Sequence, residues 1–268
     1  MAKDHSQLDL LVKQILASSK YQQIAPDLVR RIGAQELNKR PSLKTAIKST
    51  KNKLHQVGGA YRRTQLDYEK GVARLRETSA FPQAFRATCQ TLMKTHASTR
   101  ERLPILNDFY QTVLADLPAI DTVLDVACGL NPLAWPWLPL APTVQYTAVD
   151  IYADMLHFIQ QFFAIAGVNG RIQQRDVIGN PPTEQTDLIL LLKTLPCLEQ
   201  VDKTAVSHLL NALNGRYLLI SYPTQSLSGR SKGMVDYYTQ QFEQLANGRS
   251  WQIKRFEFAT ELAFLVKT

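Results

Sequence analysis

Asp125 and Asp150 stand near the ends of short apolar runs and Asp176 at the tip of a short segment that reads as a strand, where carboxylates can hold a nucleoside. Asp125 lies in Leu124-Asp125-Val126-Ala127-Cys128-Gly129-Leu130-Asn131-Pro132, where a glycine and an Asn-Pro pair turn the chain. The run 144–149 ends in Asp150, whose carboxylate can accept hydrogen bonds from both hydroxyls of a ribose. Residues 171–174 lead to Arg175-Asp176-Val177, where a carboxylate can accept from an adenine amino group. The turn after Asp125 has one glycine, not the three that let backbone approach a pyrophosphate. An adenosine ligand without phosphates fits that turn better, and S-adenosylmethionine is such a ligand. The competing reading is an ordinary strand-to-helix turn of an α/β domain.

Other reactive groups are sparse. Cys89, Cys128 and Cys197 lack the paired spacing of a zinc site or a disulfide framework, so a reduced protein without metal is expected. Cys128 suits the turn by its small size. Ser98 precedes Glu101 by three residues in His96-Ala97-Ser98-Thr99-Arg100-Glu101-Arg102-Leu103, a capping box that predicts a helix start. That helix leads into the first strand and can cover a ligand pocket, so His96 is either a capping residue or a ligand contact. Residues 221–234 form a long polar loop with Gly229, Arg230, Lys232 and Gly233 at the face where substrate would enter.

Positioning these residues takes a sheet. Runs at 120–126, 144–149, 171–174, 187–192 and 217–221 predict five strands, with helices over 152–166 and 199–213. Runs at 251–258 and 261–266 are close enough for a hairpin. Such alternation implies a parallel sheet with its ligand site at the carboxyl ends of the strands, where Asp125, Gly129, Asp150 and Asp176 converge. Pro132, Pro136, Pro139 and Pro142 make the segment after the turn irregular, with Trp135 and Trp137 as packing residues. Before residue 119 only helices are predicted, over 6–20, 26–37, 41–54, 65–77 and 83–95. The predicted fold is α/β: a seven-stranded S-adenosylmethionine-dependent methyltransferase (Rossmann-like) domain over 96–268, preceded by an all-helical domain over 1–95.

Charge separates the two parts. Of 268 residues, 1–118 hold 20 Lys and Arg against 10 Asp and Glu, while 119–268 hold 11 against 13. Ten cations between Lys13 and Lys53 face only Asp27 and Glu36. This asymmetry suggests a nucleic-acid docking surface, the alternative being a solvated basic face. No run of 18 apolar residues exists, so no membrane association is expected. The polar N-terminus carries no secretory pattern, and a cytoplasmic protein is expected.

Taken together, the chain resembles the aminoglycoside-resistance 16S rRNA methyltransferases, which modify N7 of guanine 1405 in the decoding site. The resemblance rests on His96-Ala97-Ser98-Thr99 with Glu101-Arg102-Leu103, on residues 125–132, on Leu192-Lys193, Leu195-Pro196 and Leu198-Glu199, and on residues 221–234. Tyr21, Pro26, Val29-Arg30-Arg31, Leu54-His55 and Gly59-Ala60-Tyr61 are similar to the family's N-terminal module, whereas segments 62–95 and 135–142 depart from its pattern. The resemblance implies cofactor contacts at His96, Ala97, Ser98, Arg102, Ala127, Gly129, Asp150, Ile151, Asp176, Val177 and Leu192. It implies RNA contacts from Lys20, Arg30, Arg31, Lys51, Lys53, His55, Arg62, Arg63 and Arg230, and target positioning by Arg230, Met234 and Lys193. The implied partner is 16S rRNA within the 30S subunit, with no obligate protein partner, and the implied product is S-adenosyl-L-homocysteine. Guanine N7 carries an in-plane lone pair and no proton, so no acid–base pair is expected. Competing readings are methylation of another RNA position, methylation of a small molecule, or a non-catalytic RNA-binding or assembly factor. Three acidic strand tips weigh against the last.

Overall fold

A computed structural model describes residues 2–59, 66–200, 202, 204–225 and 232–268. Its centre is one sheet of β1 (Thr122–Val126), β2 (Gln145–Asp150), β3 (Asn169–Gln174), β4 (Thr186–Leu192), β5 (Gly215–Pro223), β6 (Gln252–Glu257) and β7 (Glu261–Lys267), in the order β3-β2-β1-β4-β5-β7-β6. The first five strands are parallel, and β7 runs antiparallel between β5 and β6. Strands covered on both faces read as unbroken apolar runs, and their side chains alternate between two cores. In β4, Leu188, Leu190 and Leu192 enter one core and Ile189 and Leu191 the other. In β7, Ala263 and Leu265 enter the first, and Leu262, Phe264 and Val266 the second.

The first core is covered by α8 (Ala153–Ala166), α7 (Leu106–Val113) and the preceding helices. The second is covered by α9 (Leu195–Glu199), α10 (Ala205–Ala212) and α11 (Met234–Ala246). The single helix expected over 199–213 is therefore two short ones. Asp202 accepts from the Thr204 N–H and hydroxyl and restarts the chain there. Helix α11 was hidden by its polar and aromatic composition: only Phe242 is fully buried, stacked on Phe264 at 3.8 Å.

Before the sheet come α1 (Ala2–Leu16), α2 (Pro26–Lys39), α3 (Leu43–Leu54), α4 (Tyr68–Thr78), α5 (Pro82–Met93) and α6 (Ala97–Arg102). Pro26 and Pro82 open their helices, where a missing N–H costs nothing. Ser42 and Asp67 cap α3 and α4 with their side chains. These helices divide into two groups. Helices α4 and α5 lie on α8, with Tyr68 5.2 Å from Phe158 and Phe85 stacked 6.0 Å from Phe162, so one core runs through residue 95. Helices α1–α3 pack on one another, share this core through residues such as Leu11, Leu28 and Leu54, and also reach the carboxyl ends of the strands through backbone bonds. The Ala25 N–H donates to the Ile151 carbonyl (2.8 Å), and the Ala153 N–H to the Gln23 carbonyl (2.9 Å).

The capping box expected at Ser98 is absent. Helix α6 begins two residues earlier, at Ala97 with His96 as its N-cap and no side-chain capping bond; Ser98 Oγ meets His96 Nδ1 and Glu101 pairs with Lys193 instead. Pro104 does interrupt the helix, with a 3-10 turn over Leu103–Ile105. The proline-rich segment after β1 forms a 3-10 turn over Asn131–Trp137. Trp137 there is buried and donates to Asn107 on α7, while Arg86 on α5 reaches the Pro136 carbonyl. No helix among the described residues is long and apolar enough to cross a membrane.

Candidate functional site

A cleft opens at the carboxyl ends of β1, β2, β3 and β4, where the strand order reverses between β1 and β4. Its open space is about 800 Å³, counted out into the solvent at its mouth. The two non-glycine residues with positive φ among those described, Ala127 (52°) and Lys193 (59°), sit at the tips of β1 and β4 that flank this reversal. Left-handed backbone costs an alanine or lysine about 1–3 kcal/mol and gathers at binding sites.

Of the sequence-predicted cofactor residues, His96, Ser98, Ala127, Gly129, Asp150, Ile151, Asp176, Val177 and Leu192 line the cleft. Gly129 has φ +52°, and a Cβ there would lie 2.7 Å from the His96 ring, so only glycine lets histidine close over the turn. Asp150 ends β2 with its carboxylate already oriented: the Gly129 N–H donates to Oδ2 (3.0 Å) and the Ile151 N–H to Oδ1 (2.7 Å). The Tyr152 N–H approaches Oδ1 as well (3.4 Å), so three backbone donors orient the carboxylate where it lines the cleft. Leu28, Val57, Tyr152, Met155, Ile178 and Leu198 complete an apolar lining that sequence reasoning missed. Leu28 and Val57 come from the N-terminal bundle, and no local pattern marks a distant helix as a pocket wall.

Two predicted contacts lie elsewhere. Ala97 is buried in α6, outside the cleft lining. Arg102 is buried beneath it, with Nε and Nη2 on Glu261 (2.7–3.2 Å) and Nη1 on Asn131 (2.7 Å) and Tyr110. Every guanidinium nitrogen therefore has a protein acceptor, and Arg102 braces the site from below instead of lining it. Lys193 closes the same knot from the cleft side, with Nζ 3.0 Å from Glu101 and 3.3 Å from Glu261. Burial pushes the Glu261 pKa up, but Arg102 and Lys193 outweigh it and hold the carboxyl below its ordinary value.

Asp125 is a further departure from expectation. It is buried within β1, where its Oδ2 accepts from Tyr146 (2.7 Å) and Asn131 (2.9 Å), and burial raises its pKa to about 6. It shapes the turn from behind and is no ligand group. Cys128 is equally buried and its thiol is pushed well up, so it is no nucleophile at neutral pH. Among the described residues no cluster of side chains could hold a metal ion.

The predicted RNA-facing cations are of several kinds. Lys20 and Lys51 flank the Tyr21 ring at 5.6 and 5.7 Å, and His55 is exposed at the end of α3. Arg30 is exposed and pairs with Asp9 (2.7 Å). Lys53 instead folds onto Glu36 at 2.8 Å, together with Arg40. Arg31 turns inward: its Nε and Nη2 hold the Asp176 carboxylate at 2.5 and 3.1 Å. Met234 is half-buried as the first residue of α11. Arg62, Arg63 and Arg230 lie outside the described residues.

The family model described as ribosomal RNA methyltransferase (FmrO) matches residues 17–265. A 16S rRNA (guanine(1405)-N(7))-methyltransferase of Micromonospora echinospora is 36% identical, covering 97% of this chain and 96% of its own length. Its counterpart from Serratia marcescens is 34% identical over 94% of this chain and 95% of its own length. Among solved structures, the 16S rRNA methyltransferase RmtF in complex with S-adenosyl-L-homocysteine superposes with a TM-score of 0.83 at 28% identity, covering 97% of this chain and 98% of its own. The 16S rRNA methylase RmtB gives 0.79 at 28% identity with the same coverage.

Proposed function

The chain belongs to the FmrO family of ribosomal RNA methyltransferases, and from that membership we propose that it methylates N7 of guanine 1405 in 16S rRNA. S-adenosylmethionine is the methyl donor, and the 30S subunit in the cytoplasm is the substrate. The observation that carries this reading is the Asp150 carboxylate, set by the Gly129 and Ile151 N–H groups at the strand-order reversal. That arrangement fits a ribose. The apolar walls of Ile151, Val177, Leu198 and Leu28 fit an adenine ring, and the glycine turn under His96 leaves no cradle for a pyrophosphate.

When bound, the cofactor supplies a methyl group on a positively charged sulfur. The chain's own task is then to hold and align. Asp150 fixes the ribose end, and Asp176 and Val177 the adenine end. His96 and Ser98 cover the cleft from α6. Lys193 stands over its floor, held by Glu101 and Glu261. No side chain has to remove a proton, because guanine N7 offers a lone pair in the plane of the base. Rate must come from placing N7 in line with the methyl carbon at ~3–3.5 Å.

In A-form RNA the N7 edge faces a deep, narrow groove that side chains cannot read, so the base must leave its stack. Unstacking costs about a few kcal/mol. Phosphate contacts from cations of the N-terminal bundle that are at least partly open to solvent, among them Lys20, Arg30 and Lys51, can offset it by releasing counterions. The product carries a positive charge on guanine, which repels a cationic aminoglycoside, and resistance follows.

Labelled methyl transfer tests the reading. Purified protein should label 30S subunits, and mass mapping should place the label on N7 of guanine 1405. Label on adenine N1 of a neighbouring nucleotide, or transfer to neither 30S subunits nor free RNA, would overturn it.

A further inference from the structure

Helix α2 presents two adjacent arginines with different surroundings. Arg30 points to solvent and Asp9, whereas the Arg31 side chain is only 19% exposed and grips Asp176 through two nitrogens. The grip is reinforced from the same helix, because Asp27 accepts the Asp176 backbone N–H at 3.2 Å. Between these residues Leu28 enters the cleft itself. Asp176 in turn accepts the Ile178 N–H, so its carboxylate is oriented from both sides. Gly179 is closely fitted here: a Cβ would meet Asp176 Oδ2 at 2.9 Å and Arg31 Cδ at 3.1 Å. One guanidinium nitrogen, Nη1, is buried without a hydrogen-bond partner among the described residues. A buried donor without an acceptor is unfavourable, so the site is better satisfied with an acceptor beside it.

We infer that Arg31 is a positioning residue of the cofactor cleft and not an RNA contact. It sets the Asp176 carboxylate and makes α2, a helix of the basic bundle, the wall at the adenine end. A phosphate would have to reach a side chain only 19% exposed, whose Nε and Nη2 are already committed to a bidentate charge-assisted pair, among the stronger polar interactions in proteins, and whose Nη1 is buried. The inference rests on the methyltransferase reading above, and S-adenosyl-L-homocysteine binding by the unaltered protein tests that reading separately.

The experiment compares Arg31→Ala, Arg31→Lys and Asp176→Asn with the parent by calorimetry against S-adenosyl-L-homocysteine, alongside 30S binding across a salt series. Arg31→Ala should weaken cofactor-product binding at least about tenfold, ~1.4 kcal/mol. Arg31→Lys should recover part of the loss, and Arg31→Ala combined with Asp176→Asn should lose less than the two single losses together. The slope of 30S affinity against salt should stay unchanged, and KM for S-adenosylmethionine should rise without KM for 30S rising. Should Arg31→Ala fail to fold, Arg31→Lys and Asp176→Asn decide the matter by the same readings. Unchanged product affinity, or a salt slope reduced by about one phosphate contact, would return Arg31 to the RNA face and overturn the inference.

Discussion

Replacing Glu261 by glutamine removes one charge and almost no volume, and the surroundings of Glu261 make the consequence large. The residue is fully buried between Arg102 and Lys193, whose side chains are 1% and 4% exposed. Its oxygens also accept from Ser221 at 2.6 Å. Lys193 keeps Glu101 in the variant, but Arg102 is left with neutral Asn131 and Tyr110 as its direct partners. Breaking a buried pair by neutralising one member costs about 3–5 kcal/mol. With ~2–4 °C per kcal/mol for a domain of this class, the melting midpoint should fall by on the order of 10 °C. Glu257→Gln is the internal control. It breaks a pair of similar length, 2.6 Å to Arg255, but both side chains are about half exposed, so it should cost no more than ~1 kcal/mol.

The pH dependence carries a second, independent sign. Arg102 and Lys193 outweigh burial and hold the folded-state pKa of Glu261 below the ordinary 4.5. A depressed carboxyl contributes stability that is present above the unfolded pKa and is lost as pH falls through the folded value. Parent and Glu261→Gln should therefore differ fully at pH 7 and converge in acid, where both side chains are neutral. Urea unfolding at pH 7 and at successively lower pH measures this directly. If Glu261→Gln matches Glu257→Gln at pH 7, or if the gap widens in acid, the knot does not hold the cleft floor as argued.

Three further outcomes are expected. Asp150→Ala should weaken S-adenosylmethionine by about 1.5–3 kcal/mol for each charge-assisted ribose bond lost, and calorimetry showing parental affinity would sink the ribose assignment. Reversing charge at Lys20, Arg62 and Arg63 should weaken 30S binding, which itself falls steeply with salt because phosphate contacts release counterions, while cofactor affinity stays put. Parental 30S binding by that triple variant at moderate salt would remove the docking role. Arg230→Ala and Met234→Ala should keep cofactor affinity and most 30S binding yet lose methyl transfer and drug protection, since alignment is the source of rate; full activity in both would refute the loop's part in placing the base.

Local signals in the sequence were enough for most of the sheet, because β1, β2, β4 and β5 are largely apolar runs that need no knowledge of their neighbours, whereas the edge strand β3 is polar and half-exposed. The same holds for Gly129 and Asp150, whose spacing reflects one strand–turn–strand unit. What stayed illegible depends on partners remote in sequence. Ser98 and Glu101 look like a capping box until Lys193 arrives 92 positions later to take the carboxylate. Arg102 resembles a cofactor contact until Glu261, 159 positions on, pulls it under the floor. Helix α11 was missed because only one of its residues is fully buried, which leaves a weak apolar period.

Cation counting meets the same limit, and the structure turns it into a mechanistic constraint. Composition treats the ten cations between Lys13 and Lys53 as one surface. In the fold, Arg31 and Lys53 are committed to Asp176 and Glu36, while Lys20, Arg30 and Lys51 remain at least partly open to solvent. The bundle thus has an outer face suited to phosphates and an inner face that supplies Leu28 and Val57 to the cleft. Its backbone bonds at Ala25 and Ala153 tie it to residues immediately after Asp150. A docking module built this way cannot be a detachable anchor. The helices proposed to meet the ribosome are the ones that wall the cleft with Leu28 and Val57, so removing them to abolish RNA binding would also open the cleft.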